Sequence, residues 1–231
     1  MITEDGSQTI YLPEMDEHYH SVHGAIQESM HIYIDQGLLQ TTKKELSVLE
    51  IGFGTGLNAY LTYCIAKKEN ISIHYYSLEK YPLNEQEFSR LNYPNNIFPE
   101  HSIIFNQMHQ AEWNKMIHIS EDFKLEKFHA DLLSFEFNEI PQFDLVYYDA
   151  FAPGKQPEMW TTEILHKVAA TVKPDGILVT YCAKGTVRRA LSDAGFAMER
   201  ISGPKGKKEI LRGKKSVEIF SNNKNYPIFV P

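Results

Sequence analysis

The sequence predicts an α/β fold: a mostly parallel, seven-stranded sheet with an antiparallel strand near one edge, wrapped by helices. Three observations carry this reading. Strand-like and helix-like stretches alternate from residue 45 onward, the pattern of βαβ units. The run Phe143-Asp144-Leu145-Val146-Tyr147-Tyr148 is almost continuously apolar, as in a parallel strand covered on both faces. Gly52, Gly54 and Gly56 alternate between an apolar strand and the helix-forming run Leu57 to Lys68, at the sheet edge where such folds open their ligand crevice.

Residues 1–44 read as an N-terminal extension and 45–231 as the main domain. In the extension, Tyr11-Leu12-Pro13-Glu14 is a short extended piece. His18-Tyr19-His20-Ser21-Val22-His23-Gly24 crowds three histidines beside Tyr19 and Ser21. From Ala25 to Gln36, Ile26, Met30, Tyr33 and Ile34 share one helical stripe, with Gly37 fitting a C-terminal stop. This extension either covers a sheet edge or lids the crevice. In the main domain, Glu45 to Ile51 is the first strand and Ile71 to Leu78 the second. Glu85 to Leu91 is a short helix, 92–99 a turn-rich loop, and Gln107 to Met116 a helix carrying Trp113. Two short strand-like runs lie between Ile117 and Leu133. Phe143 to Asp149 is the fourth strand, and Pro153 and Pro157 stop any immediate helix after it. Thr161 to Val172 is a helix, Gly176 to Cys182 the fifth strand, and Lys184 to Gly195 a helix. Phe196 to Ile201 is the sixth strand, and Ser216 to Phe220 an antiparallel seventh.

Composition narrows the function. No apolar run reaches the roughly 18 residues of a membrane span. The acidic start, Met1-Ile2-Thr3-Glu4-Asp5-Gly6, lacks the apolar stretch of a signal peptide. Cys64 and Cys182 read as isolated buried thiols of a reducing, cytoplasmic compartment. Neither has metal-ligand spacing with the scattered histidines, so no metal is expected. Net charge is −7, but residues 184–215 carry +7 and the remainder −14. A basic segment on an acidic body is either a phosphate-binding face or an ordinary solvated surface.

The glycine turn is spaced G-x-G-x-G and preceded by Glu50, whereas the dinucleotide fingerprint is G-x-G-x-x-G. This form resembles the first motif of class I S-adenosylmethionine-dependent methyltransferases. It makes Glu50, Gly52, Phe53, Gly54, Thr55, Gly56 and Asn58 candidates for holding the cofactor; the alternative is a tight turn without a ligand. Glu79, with Lys80 beside it, ends the second strand 23 residues after Gly56. There an acid can accept hydrogen bonds from both hydroxyls of an adenosine ribose. Asp131 is the candidate for the adenine edge, or else an N-cap. Tyr19, His20 and Ser21 are candidates to close over the cofactor.

The segment Asp149-Ala150-Phe151-Ala152-Pro153-Gly154-Lys155-Gln156-Pro157-Glu158-Met159-Trp160 resembles the DxFAPxKxPxMW signature of tRNA 5-aminomethyl-2-thiouridine methyltransferases. That family comprises the methyltransferase half of bifunctional MnmC proteins and stand-alone relatives. Two further stretches fit it: Asp5-Gly6-Ser7 through His20-Ser21, Gly24-Ala25 and Glu28-Ser29 to His31, and Tyr181 through Arg188-Arg189 and Gly195-Phe196 to Glu209. The resemblance implies a Rossmann-like class I fold with an added N-terminal piece. It also implies methyl transfer from S-adenosyl-L-methionine to the aminomethyl nitrogen of wobble uridine in the tRNA anticodon stem-loop. The bifunctional relatives carry a flavin-dependent oxidoreductase domain; this sequence has no room for one, and another enzyme is expected to supply the aminomethyl substrate.

The chemistry needs a neutral amine, so a group must orient it and receive its proton. Asp149 is the candidate; its alternative role is to hold the loop. Phe151 and Pro153 are candidates for an apolar wall, and Trp160 either stacks a base or packs. Lys155, Lys184, Arg188, Arg189, Lys205, Lys207 and Lys208 are candidates for phosphate contacts. The rival readings are an NAD-dependent oxidoreductase, a methyltransferase acting on a small-molecule amine, and an RNA-binding module without catalysis.

Overall fold

The computed structural model describes residues 1–138 and 140–217. In the extension, a two-stranded hairpin pairs β1 (Tyr11–Leu12) with β2 (Glu17–His18). Helix α1 (Ala25–Ser29) runs on through a π-helical stretch, Met30–Asp35. The main domain then places β3 (Glu45–Ile51), α2 (Leu57–Glu69), β4 (Ser72–Glu79), α3 (Glu85–Phe88), α4 (Tyr93–Asn96) and α5 (Ser102–Gln110). These are followed by β5 (Met116–Ser120), β6 (Phe123–His129), β7 (Phe143–Tyr148), α6 (Thr162–Ala169) and β8 (Val172–Thr180). The last elements are α7 (Gly185–Asp193), β9 (Phe196–Ser202) and β10 (Glu209–Lys215).

Among the described residues the sheet has eight strands, not seven, in the order β5-β6-β4-β3-β7-β8-β10-β9. Strands β6, β4, β3, β7 and β8 are parallel neighbours. Two strands run against them: β5, paired with β6, and β10, inserted between β8 and β9. The chain moves outward from β3 through β4 to β6, then returns to β7 on the other flank. The crevice of a doubly wound sheet lies where that direction reverses, above the C-terminal ends of β3 and β7.

Several boundaries differ from the sequence reading for local reasons. The helix set at Gln107 to Met116 forms earlier, at Ser102–Gln110, and Trp113 lies beyond it, bridging to Lys127 of β6. The last strand is Glu209–Lys215; the expected strand at Ser216 to Phe220 falls mostly outside the described residues. Its run of charges and a glycine hid β10. A Cβ on Gly213 would sit 2.5 Å from the Met198 sulfur of β9, so the glycine makes room for its neighbour. Gly37 does follow the first helix, but with negative φ. A Cβ there would lie 2.3 Å from the Tyr33 carbonyl oxygen, so it is needed for space.

Strand alternation sends Val48, Tyr75 and Tyr147 to one apolar layer and Leu49, Val146 and Tyr148 to the other. The first layer holds α2, α5 and the extension's Ile32, Tyr33 and Ile34. The extension is therefore built into the core rather than laid along a sheet edge. The second layer holds α6 and α7. Cys64 and Cys182 are free and buried, and burial pushes the Cys64 thiol up to about 12. No helix among the described residues is long and apolar enough to cross a membrane.

Asp144 ties the entrance of the sheet together. It is 5% exposed and accepts hydrogen bonds from Lys43 Nζ (2.5 Å), Lys173 Nζ (2.8 Å) and the Ser47 N–H (2.9 Å). Burial pushes its carboxyl up, but the two lysines and the amide outweigh that and hold it below the ordinary range. A depressed carboxylate contributes stability above its unfolded value and loses it as pH falls through the folded one. We expect Asp144→Asn to cost about 1–3 kcal/mol at neutral pH. The gap to the parent closes in acid, as urea melts at neutral and acid pH will read.

Candidate active site

A cavity of about 300 Å³ opens above the C-terminal ends of β3, β4 and β7, within the range of small-molecule sites. Its floor is the turn from β3 into α2. Gly54 and Gly56 both take positive φ, +49° and +71°, a conformation that costs other residues about 1–2 kcal/mol. A Cβ on Gly54 would press within 3.0 Å of the Tyr19 ring, and one on Gly56 within 2.8 Å of His109 Nε2. Gly54 thus lets the extension close on the turn, while Gly56 faces the protein interior and lies off the cavity.

Glu79, at the tip of β4, pins this turn. Its Oε2 accepts from the Gly54 N–H (2.9 Å) and its Oε1 from the Tyr81 N–H (2.7 Å). Lys80 pairs with Asp131 at 2.8 Å, and both line the cavity. The Lys80 hydrogen bond draws the Asp131 carboxyl below the usual range. Asp131 also accepts from the Leu133 N–H at 3.0 Å.

Asp149 closes the floor just past β7. The Tyr33 hydroxyl donates to its Oδ1 (2.5 Å) and the Asn58 Nδ2 to its Oδ2 (2.8 Å). Burial raises this carboxyl to about 6, although both hydrogen bonds pull it down. A carboxyl poised there changes protonation near neutrality, as groups that move protons in enzymes do.

The extension roofs the cavity. Tyr19 packs edge-on to Phe151, ring centroids 5.1 Å apart. His20 Nε2 meets the Thr55 hydroxyl at 2.7 Å, and burial lowers this imidazole to about 4, so it stands neutral. At the far side, Glu28 accepts from the Ser21 N–H (2.8 Å) and pairs with Lys207 (3.1 Å). The Lys207 ammonium lies 4.8 Å over the Tyr181 ring, whose hydroxyl donates to the Ala150 carbonyl.

Among the residues singled out in the sequence, the cavity gathers Asp149, Gly52, Phe53, Gly54, Thr55, Asn58, Glu79, Lys80, Asp131, Tyr19, Ser21, Phe151 and Lys207. It does not gather Glu50, which is fully enclosed on β3, or Pro153. Trp160 is packing: it is buried, and its indole N–H donates to the Phe151 carbonyl at 2.7 Å. Lys155 is engaged elsewhere, donating to the Met15 and Asp16 carbonyls of the hairpin turn at 2.8 and 2.9 Å. Lys205 pairs with Glu4 at 2.6 Å. Lys184, Arg189 and Lys208 are exposed and Arg188 is half-buried, all outside the cavity. Tyr33, Glu28 and Tyr181 are among the cavity residues that sequence reasoning did not assign there. Tyr33 was legible only as one member of an apolar stripe; nothing local marks where its hydroxyl ends.

Residues 99–216 match the family model described as S-adenosyl-L-methionine-dependent methyltransferase. The chain belongs to this methyltransferase family. Among curated relatives, the tRNA 5-methylaminomethyl-2-thiouridine biosynthesis bifunctional protein MnmC of Pseudomonas entomophila is 30% identical over 87% of this chain and 32% of that protein. The protein of the same name from Leptospira interrogans is 29% identical, over 96% and 36%. The chain thus spans about a third of the length of these relatives. Among solved structures, MNMC2 from Aquifex aeolicus superposes with a TM-score of 0.74 at 23% identity, covering 92% of this chain and 68% of that one. The methyltransferase fold is therefore the class I, Rossmann-like one, with eight strands among the described residues.

The Tyr33 contact can be tested without ligand. A hydrogen bond to the ionised form favours ionisation, so Tyr33→Phe should move the Asp149 midpoint above about 6. Carboxyl-carbon NMR titration reads the shift, and an unmoved midpoint removes Tyr33 from the site.

Proposed function

We propose that this methyltransferase places a methyl group on the aminomethyl nitrogen of wobble uridine, with or without its 2-thio group, in the anticodon stem-loop of tRNA. The observation that carries the reading is Asp149, gripped by Tyr33 and Asn58 beside the glycine turn. The relatives' printed names supply the substrate. The aminomethyl group itself is supplied by another enzymatic activity.

The cavity fits S-adenosyl-L-methionine. Glycine at position 54 leaves space that any Cβ would fill. Glu79 uses one backbone N–H on each oxygen, and a carboxylate oxygen has further lone pairs for a ribose diol. Glu79 is therefore assigned the ribose, Lys80 and Asp131 the adenine edge, and Gly52, Phe53, Gly54, Thr55 and Asn58 the remainder. Tyr19 and Ser21 close over them. Glu50 and Gly56 act from behind the turn, without contact. When bound, the cofactor supplies a methyl group made electrophilic by its sulfonium.

The chain's own work is positioning and proton handling. Holding two reactants in line is worth up to about 7–11 kcal/mol in ideal cases. Phe151 and Tyr19 form an apolar rim that limits water. Above about pH 6 Asp149 is an anion. It then orients the incoming amine and takes its proton, directly or through water, leaving a lone pair on nitrogen. Where the proton has left through water, the carboxylate remains to stabilise the positive charge that develops on nitrogen as the methyl–nitrogen bond forms.

For tRNA, Lys207 reaches the cavity rim. Lys184, Arg188, Arg189, Lys205 and Lys208 extend a basic surface for phosphates outside it. Lys155, committed to the hairpin, is dropped from that set.

Two outcomes test this reading. With purified chain, labelled S-adenosyl-L-methionine and tRNA bearing the aminomethyl nucleoside, Asp149→Asn should lose about 10²–10⁴-fold in single-turnover rate. It should keep cofactor affinity, while the parent's rate falls as pH drops below about 6. Unchanged turnover removes the proton acceptor; label on a small amine but never on tRNA removes the substrate. Glu79→Gln should weaken cofactor binding by roughly 10–100-fold; equal affinity by calorimetry takes Glu79 out of the site.

A further inference from the structure

Glu50 stands on β3 behind the glycine turn, 0% exposed and off the cavity. The groups that face it are the Ser77 and Tyr75 hydroxyls, the Asn58 amide and the Asp149 carboxyl; none is a cation. Tyr147, its partner in register on β7, is the other titratable group nearby. Ser77 donates to Glu50 Oε2 at 2.9 Å. Three other buried polar atoms of this pocket have no partner: Glu50 Oε1, Asn58 Oδ1 and the Tyr75 hydroxyl.

We propose that Glu50 is a neutral carboxylic acid in the working protein, and that its proton makes it a positioning residue for Asn58 and, through Asn58, for Asp149. The surroundings argue for it. The groups within reach of Glu50 are two hydroxyls, one amide and a second acid, and none carries a positive charge. A proton on Glu50 gives this pocket a donor for Asn58 Oδ1, which has no partner of its own, and unmet buried polar groups are costly. An isolated buried carboxylate without a cation takes up a proton rather than bear its desolvation. Burial, with the Asp149 charge adding to it, pushes the Glu50 carboxyl well above the carboxylate range.

The consequence falls on Asp149. The Asn58 amide reaches from the first turn of α2 to Asp149 Oδ2. A neutral Glu50 fixes that amide without placing a second anion beside Asp149. Two acids stand side by side, and only the one that opens on the cavity ionises near neutrality.

The test uses the ligand-free chain, so it stands or fails apart from the methyl-transfer reading. Infrared spectra of the parent should show the carbonyl stretch of a protonated carboxyl, persisting from neutral to mildly alkaline pH. Glu50→Gln, which keeps a donor and an acceptor, should abolish that band and leave the Asp149 NMR midpoint where it was. Glu50→Leu, which removes the polar contacts, should raise the Asp149 midpoint as Asn58 loses its anchor. In turnover it should lower kcat without raising KM for the cofactor. The proposal is overturned if the parent shows no such band, or if Glu50→Gln lowers the Asp149 midpoint tenfold or more in proton concentration, the mark of a lost anion. Should Glu50→Gln fail to fold, the side-chain carboxyl shift of labelled glutamate in the parent decides alone: a shift in the ionised range at neutral pH refutes it.

Discussion

The arrangement rests on one carboxyl held by two donors from distant parts of the chain. Asp149 follows directly on β7; its oxygens are taken by Tyr33, 116 residues earlier, and Asn58, 91 residues earlier. Those contacts exist only when the extension has packed into the first apolar layer and α2 has left the glycine turn at the right angle. Folding of three segments is thereby converted into the position and acidity of a single group. Hydrogen bonds to the charged form oppose burial, and their near balance leaves the carboxyl poised close to neutrality rather than fixed in either state.

The glycine turn is held with the same economy. Glu79 fastens it through the Gly54 N–H while lying on the cavity. The Tyr19 ring covers it from above, and His109, neutral and stacked on Phe88, supports it from below. Behind His109, the buried Lys127 donates to its carbonyl and sits 4.3 Å from the Trp113 ring centre. Strand tips, an aromatic roof and a core imidazole therefore converge on a few residues whose backbone must stay open.

Much of this was legible in the sequence because it is written in short range. Alternating apolar runs marked β3, β4, β7 and β8, and the glycine spacing marked the turn. The acids at the ends of β4 and β7 marked the cavity, and the Asp149 to Trp160 segment carried the family resemblance. What escaped depends on contacts far apart in the chain. Tyr33 looks like a core residue until its hydroxyl is seen to reach Asp149. Lys155 looks like a free cation until the hairpin turn presents two carbonyls to it. Glu50 sits one residue before the strand end, so the pleat turns it away from the crevice. The two strand-like runs between Ile117 and Leu133 are β5 and β6, whereas β10, rich in lysine, read as surface.

The central claim is that one cavity brings Asp149 to the reacting end of the cofactor and Glu79 to its sugar. A crystal structure of this chain with S-adenosylhomocysteine tests it most directly. The ribose hydroxyls should lie on Glu79 and the sulfur should turn toward the Asp149 carboxyl, under Tyr19. A nucleoside seated away from the glycine turn, or a sulfur facing away from Asp149, would contradict it.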